Sequence, residues 1–162
     1  MRTETENIKE FFETLGEIWR DVTLIEFLMR CALAQKRGEI SKIPKPPFKK
    51  GMTYNIYPKS FSHTYFSEVV QDFNKEFPHL AIPVELVELR NAMAHGFIAE
   101  IDNSGVDEVV KFKKQKSGTL MVEFSMSLEQ KKVEQIRQSL KELRRYVALE
   151  AADKPKNLNN LP

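Results

Sequence analysis

From Ile8 onward, apolar residues recur at Phe11, Leu15, Ile18, Val22, Ile25, Met29 and Ala32, in steps of three and four that line one side of a helix. The spacing predicts a long amphipathic helix ending near Gly38, whose periodic part spans roughly 36 Å at ~1.5 Å per residue. A second stripe, Phe66, Val69, Val70, Phe73 and Phe77, predicts a helix from Ser62 to Phe77 closed by Pro78. A third helix is expected from Pro83, a good first-turn residue, to His95, where Gly96 reads as a left-handed cap. The period then changes. FIAEI, VVKFK and TLMVEF, between Phe97 and Phe124, read as short strands joined by turns at DNSG and KSG. Ser127 with Gln130 three residues later forms a capping-box pattern, and Val133, Ile136, Leu140, Leu143 and Val147 mark a last helix.

These elements predict a mainly α fold: an antiparallel helical bundle with a small antiparallel β-hairpin insertion, residues 97–125, before the last helix. The expectation is a single domain over residues 1–152, with a disordered tail at 153–162. A chain of 162 residues with 41% hydrophobic content suits one domain with a real core. Charged residues make up 30% of it, yet the net charge is only +2, so any basic surface must be local. The single cysteine, Cys31, excludes an internal disulfide and a thiolate zinc site, and reads as a buried structural thiol in a reducing compartment. The opening residues MRTETENIKE are polar and acidic, and no run approaches the ~20 apolar residues of a membrane span. A cytosolic protein without a membrane segment is therefore expected. His63, His79 and His95 lack zinc-ligand spacing and there is no glycine-rich phosphate loop, so neither a metal nor a cofactor is expected.

Between Lys36 and Lys59 the chain has four prolines, two glycines, and seven basic residues against one acidic, Glu39. Prolines at this density break a helix, so residues 36–61 read as a basic, proline-rich loop. Phe48, Tyr54 and Tyr57 are interleaved with Lys42, Lys45, Lys49 and Lys50. That combination could hold single-stranded RNA by phosphate contact and base stacking. A solvated loop whose aromatics tuck against the bundle is the simpler alternative. The lysines at 111, 113, 114 and 116 read more simply as a solvated hairpin edge that blocks sheet extension.

The third helix carries the chemistry. Taking Leu86 as 0°, a rotation of 100° per residue sets Leu89 at about 300°, Arg90 at about 40° and Met93 at about 340°. Arg90 thus falls inside the apolar stripe, where an unpaired guanidinium would cost several kcal/mol, so it must meet an anion, a polar network or a wet crevice. Asn91 and His95, four apart, share a face, and the amide can hold the imidazole in one orientation. Arg90 and His95, five apart, diverge by about 140° on an ideal helix. They would converge on one substrate only if the helix end unwinds at Gly96 or if a second copy supplies the missing group, as in a two-fold dimer.

The sequence Arg90, Asn91, three residues, His95 resembles the catalytic motif of the HEPN superfamily (higher eukaryotes and prokaryotes nucleotide-binding), many of whose members are ribonucleases. The resemblance covers roughly residues 5–150 and extends to a helical bundle, a motif near the end of its third main helix, a glycine after the histidine and a final helix. By composition alone, Arg-Asn-x-x-x-His should arise in a chain this long on the order of once in a hundred. The resemblance implies a metal-independent endoribonuclease in which the 2′-hydroxyl attacks the adjacent phosphate, leaving 2′,3′-cyclic phosphate and 5′-hydroxyl ends. Arg90 would neutralise the phosphate, His95 would transfer protons and Asn91 would orient His95. Glu13 and Glu17 on the first helix are candidates to support Arg90. A homodimer is implied, together with a role as a toxin or antiphage abortive-infection effector restrained by an inhibitory antitoxin or regulatory protein. One departure matters: Phe97 stands where members paired with a nucleotidyltransferase antitoxin typically carry a tyrosine, so control by adenylation there is not open to this chain.

Two plainer readings stand beside it. One is a non-catalytic HEPN-like module that binds RNA, a nucleotide or a protein partner through the same crevice. The other is a helical adaptor in which Arg90 bridges a core carboxylate such as Glu17 and His95 only finishes a helix.

Overall fold

The computed structural model describes residues 4–40, 50, 59–62, 65–100 and 107–152. Among these, the chain is mainly helical with a small antiparallel sheet. Helix α1 spans Glu4–Lys36, α2 Phe66–Glu76, α3 Val84–His95 and α4 Gln130–Ala151. Short 3-10 turns at Lys59–Phe61 and Pro78–Leu80 flank α2. Strands β1 (Phe97–Glu100), β2 (Asp107–Lys114) and β3 (Leu120–Ser127) form one sheet in the order β1-β2-β3, antiparallel throughout. The tail at 153–162 and the turn at DNSG lie outside the described residues. No helix of the described residues is long and apolar enough to cross a membrane.

Contacts divide the chain into two compact units, residues 1–24 with 82–144 and residues 25–81 with 145–162. In the first, Ile18 and Val22 of α1, Leu86, Leu89 and Ala92 of α3, Val109 and Val110 of β2, and Val133 and Leu140 of α4 are buried. Helix α3 packs against β2 and β3. Across α1 and α4 runs a buried ion pair that local periodicity does not announce. Asp21, only 3% exposed, accepts a hydrogen bond from Arg144 Nη1 at 2.6 Å, and a longer one of 3.4 Å from Arg20.

The two ends of that pair should respond unequally. Arg144→Met leaves the buried carboxylate of Asp21 with only the long contact from Arg20 and is expected to cost about 3 kcal/mol. Asp21→Asn leaves an arginine with a third of its side chain in water, and is expected to cost only about 1 kcal/mol. Urea unfolding of both variants measures this. Equal losses would mean that burial of Asp21 does not govern the pair.

In the second unit the seam of α1 continues through Ile25, Met29, Cys31, Ala32 and Leu33. Phe66, Val69, Val70 and Phe73 of α2 and Val147 and Ala151 of α4 are buried as well. Phe73 and Phe77 stack at 4.6 Å between centroids. The end of α1 is tied to α2 by Arg37, which reaches Asp72 at 2.8 Å and Glu76 at 3.5 Å, and by Lys36, which donates to the Glu76 carbonyl. Ser60 joins the 3-10 turn to α1 and the residues just beyond it. Its N–H donates to Glu39 at 2.9 Å and its carbonyl accepts from Arg30 at 3.3 Å.

Cys31 is a free, buried thiol, and desolvation pushes its pKa from 9.0 to about 12. A raised thiol pKa favours folding fully below about pH 9, and that contribution fades as pH rises toward 12. At pH 8 iodoacetamide should therefore label Cys31 slowly in the native protein and rapidly in urea. Equal rates would place the thiol at the surface.

Four local expectations are revised. Helix α2 starts at Phe66 rather than Ser62, after an extended Tyr65 whose N–H meets Glu68 Oε2 at 3.4 Å. Pro83 is the extended residue preceding α3 rather than its first helical residue. Ser127 remains in β3 and its Oγ accepts from the Glu129 N–H at 3.3 Å, so it does not cap α4, which begins at Gln130. Gly96 is not left-handed. It adopts φ −86° and ψ −179°, because the chain passes straight from α3 into β1. Positive φ is instead found at Gly38, just past the end of α1, and at Gly118 in the β2–β3 turn.

Candidate functional site

Gly96 is required for a different reason, and that reason shapes the site. Its N–H donates to the Ala92 carbonyl at 2.6 Å, closing the last turn of α3. The next residue, Phe97, pairs with Val110 in the sheet. A Cβ on residue 96 would lie 2.8 Å from the Val110 carbonyl oxygen and closer still to that of Ala92, so only glycine lets the helix end abut the strand. Helix α3 therefore stays regular through His95 and stops abruptly, with His95 exposed at its final position.

Arg90 is half-buried, with its Nε shielded from solvent, one turn beyond buried Leu86 and beside buried Leu89. Both candidate supporting acids have cations beside them. Glu17 pairs with Arg137 of α4, and Glu13 lies 3.8 Å from Lys9 on α1. Arg137 also contacts Glu134 at 3.4 Å. The unwinding route to convergence is closed as well. With α3 helical to His95, the spacing of five keeps Arg90 and His95 about 140° apart around the axis.

Asn91, half-buried, opens onto a recess of about 100 Å³ lined also by Glu88, Lys111, Glu123 and Phe124. Its amide has no hydrogen bond to His95 among the described residues, and His95 is not part of that lining. In β2–β3 the register runs Lys111↔Phe124 and then Phe112↔Val122, so Glu123 is a bulge residue with no partner across the ladder. Lys111 Nζ holds Glu123 Oε2 at 2.6 Å, and Lys113 approaches Oε1 at 3.8 Å.

The hydrogen bond from Lys111, reinforced by the charges of Lys111 and Lys113, lowers the Glu123 pKa below its ordinary 4.5. A depressed carboxyl pKa favours folding above the ordinary value, and that contribution is lost as pH falls through the folded one. Carbon-detected NMR titration should find Glu123 below 4.5, and Lys111→Ala should move it back up. An unchanged titration in that variant would remove Lys111 as the cause.

Of the basic loop residues proposed to hold RNA, Lys50 is exposed, and Lys42, Lys45, Lys49, Phe48, Tyr54 and Tyr57 lie outside the described residues. No cluster of three or more His, Cys, Asp or Glu side chains is arranged to hold a metal ion among the described residues. Sequence reading did not find the recess. Glu88 three residues before Asn91 is a visible helical pair, but the bulge that brings Glu123 opposite it is a property of strand register. No family model, curated protein or solved structure matches this chain.

Proposed function

We propose that the chain is a metal-independent endoribonuclease of the HEPN kind, a helical bundle acting as a homodimer. One observation carries the reading: His95 is exposed at the abrupt end of α3, while Arg90, one and a half turns earlier on the same unbroken helix, is half-buried. A histidine in reach of solvent-borne substrate suits proton transfer. A partly desolvated guanidinium suits charge stabilisation, because its fixed fork grips phosphate oxygens where water screens least. The 2′-hydroxyl attacks the adjacent phosphorus, its proton leaves to a base, and the 5′-oxygen departs with a proton from an acid. His95 serves in this transfer and Arg90 neutralises the phosphoryl oxygens.

The divergence of Arg90 and His95 on a regular helix favours a composite site, in which Arg90 of one protomer and His95 of its partner act on one phosphate. Such an enzyme in the cytosol needs restraint, so an inhibitory partner belongs to the same reading, as does a role as a toxin or antiphage effector. The test is cleavage of end-labelled RNA in excess EDTA, with analysis of product ends and a DNA oligonucleotide of the same sequence as control. Cyclic phosphate ends from RNA and no cleavage of DNA are expected. RNA bound but not cleaved would transfer the reading to a binding module.

A further inference from the structure

The recess beside α3 holds two polar groups, Glu88 and the Asn91 amide, that neither the fold nor the proposed phosphate chemistry uses. In a regular strand, neighbouring residues point to opposite faces. Phe124 opposes Lys111, Glu123 is bonded to the same lysine, and both line the recess with α3 residues Glu88 and Asn91. The bulge thus turns two consecutive residues of β3, an aromatic ring and a carboxylate, toward one helix face. Bulges are concentrated where a side chain must be re-aimed beside a site. Glu123 is committed to Lys111 and Lys113, whereas Glu88 and the Asn91 amide have no hydrogen-bond or ion-pair partner among the described residues.

The chemistry of that lining is selective. A volume of about 100 Å³ admits a few waters or the edge of a planar ring, but does not enclose a larger molecule. Phe124, half-buried, supplies a surface on which such a ring can lie. A carboxylate is an acceptor with two parallel oxygens, so it matches two adjacent donors on one edge. Among the RNA bases only guanine presents that pattern, N1–H beside the N2 amino group, while its O6 and N7 accept from an amide or an ammonium. Glu88 offers the first match, and Asn91 and Lys111 the second.

We infer that the recess formed by Glu88, Asn91, Lys111, Glu123 and Phe124 takes a guanine of single-stranded RNA, its N1–H and N2 amino group on Glu88 and its O6 side toward Asn91 and Lys111. The inference rests on the ribonuclease reading for its purpose: a base seated here, one helical turn from His95, would select the phosphate that is cut. Its binding chemistry is testable without turnover.

The experiment is calorimetric titration of the full chain with the 3′-monophosphates of guanosine, inosine, adenosine, cytidine and uridine. Guanosine monophosphate should bind at least ten-fold tighter than the other four, inosine included, because inosine lacks the second donor. Glu88→Gln, at an exposed position, should abolish the preference without disturbing folding. Phe124→Leu, which keeps apolar bulk but removes the ring, should weaken guanosine binding. Equal affinities across the five nucleotides, or a guanosine preference that survives Glu88→Gln, would overturn the inference. The two readings separate cleanly. RNA cleavage without guanosine preference rejects the recess and keeps the ribonuclease, whereas guanosine preference without cleavage keeps the recess and rejects the ribonuclease.

Discussion

His95→Ala is expected to slow RNA cleavage by about 10²–10⁴-fold, the range lost when a positioned general acid or base is removed. The urea midpoint should not move, because the imidazole is exposed and ends its helix without a partner among the described residues. Arg90→Ala is expected to cost roughly 10²–10³-fold through lost charge stabilisation. Arg90→Lys should not restore the rate, since an ammonium lacks the two-pronged donor geometry. The composite site adds a sharper expectation. Mixing and re-annealing the two inactive alanine variants in equal amounts makes half of the dimers heterodimers, each with one site that keeps both Arg90 and His95. About a quarter of wild-type activity should return, as the two-fold arithmetic requires. No recovery with mixed dimers demonstrably formed would mean that both groups act from one chain.

Gly96→Ala is expected to destabilise the fold by about 3 kcal/mol, a large share of the total stability of a small domain. The reason is not backbone conformation, because φ at −86° is open to any residue. The added Cβ meets two backbone oxygens, those of Ala92 and Val110, which belong to the last turn of α3 and to the strand pairing with Phe97. Neither can yield by rotating a side chain, so the helix and the sheet must separate. Urea unfolding measures the loss, and Gly96→Ser should be no better, since the clash arises at Cβ. If cleavage falls along with stability, the same packing that fixes Gly96 also fixes His95. A Gly96→Ala variant with an unchanged midpoint would show that the junction opens freely.

These two glycine and histidine effects sit at adjacent positions, yet they were legible to different degrees. His95 and Arg90 stand out in the sequence because a charge inside an apolar stripe, and an imidazole at the end of a helix, both break local expectation. Gly96 also stood out, but as a left-handed cap. A glycine after a helix is common for that reason, and only the nearness of the Val110 carbonyl, from a strand 14 residues away in the sequence, assigns it to close approach instead.

Periodicity alone determined the elements. The seam from Ile18 to Ala32 is buried as its spacing requires, and the change from a period of 3.6 to 2 marked the sheet and the turn at Gly118. Local rules work there because helices and hairpins are made from contacts between near neighbours. Tertiary structure decided what pairs with what. Glu17 went to Arg137, and Asp21 to Arg144 across 123 residues, because α4 brings its cations against α1, a meeting that no local pattern encodes. Tertiary structure also decided the recess: a one-residue bulge at Glu123 reverses the expected face of one carboxylate and turns it toward Asn91. Side-chain identity sets what chemistry a site can do. Strand register and helix packing set which groups share that site, since both depend on free energies summed over residues far apart in the chain.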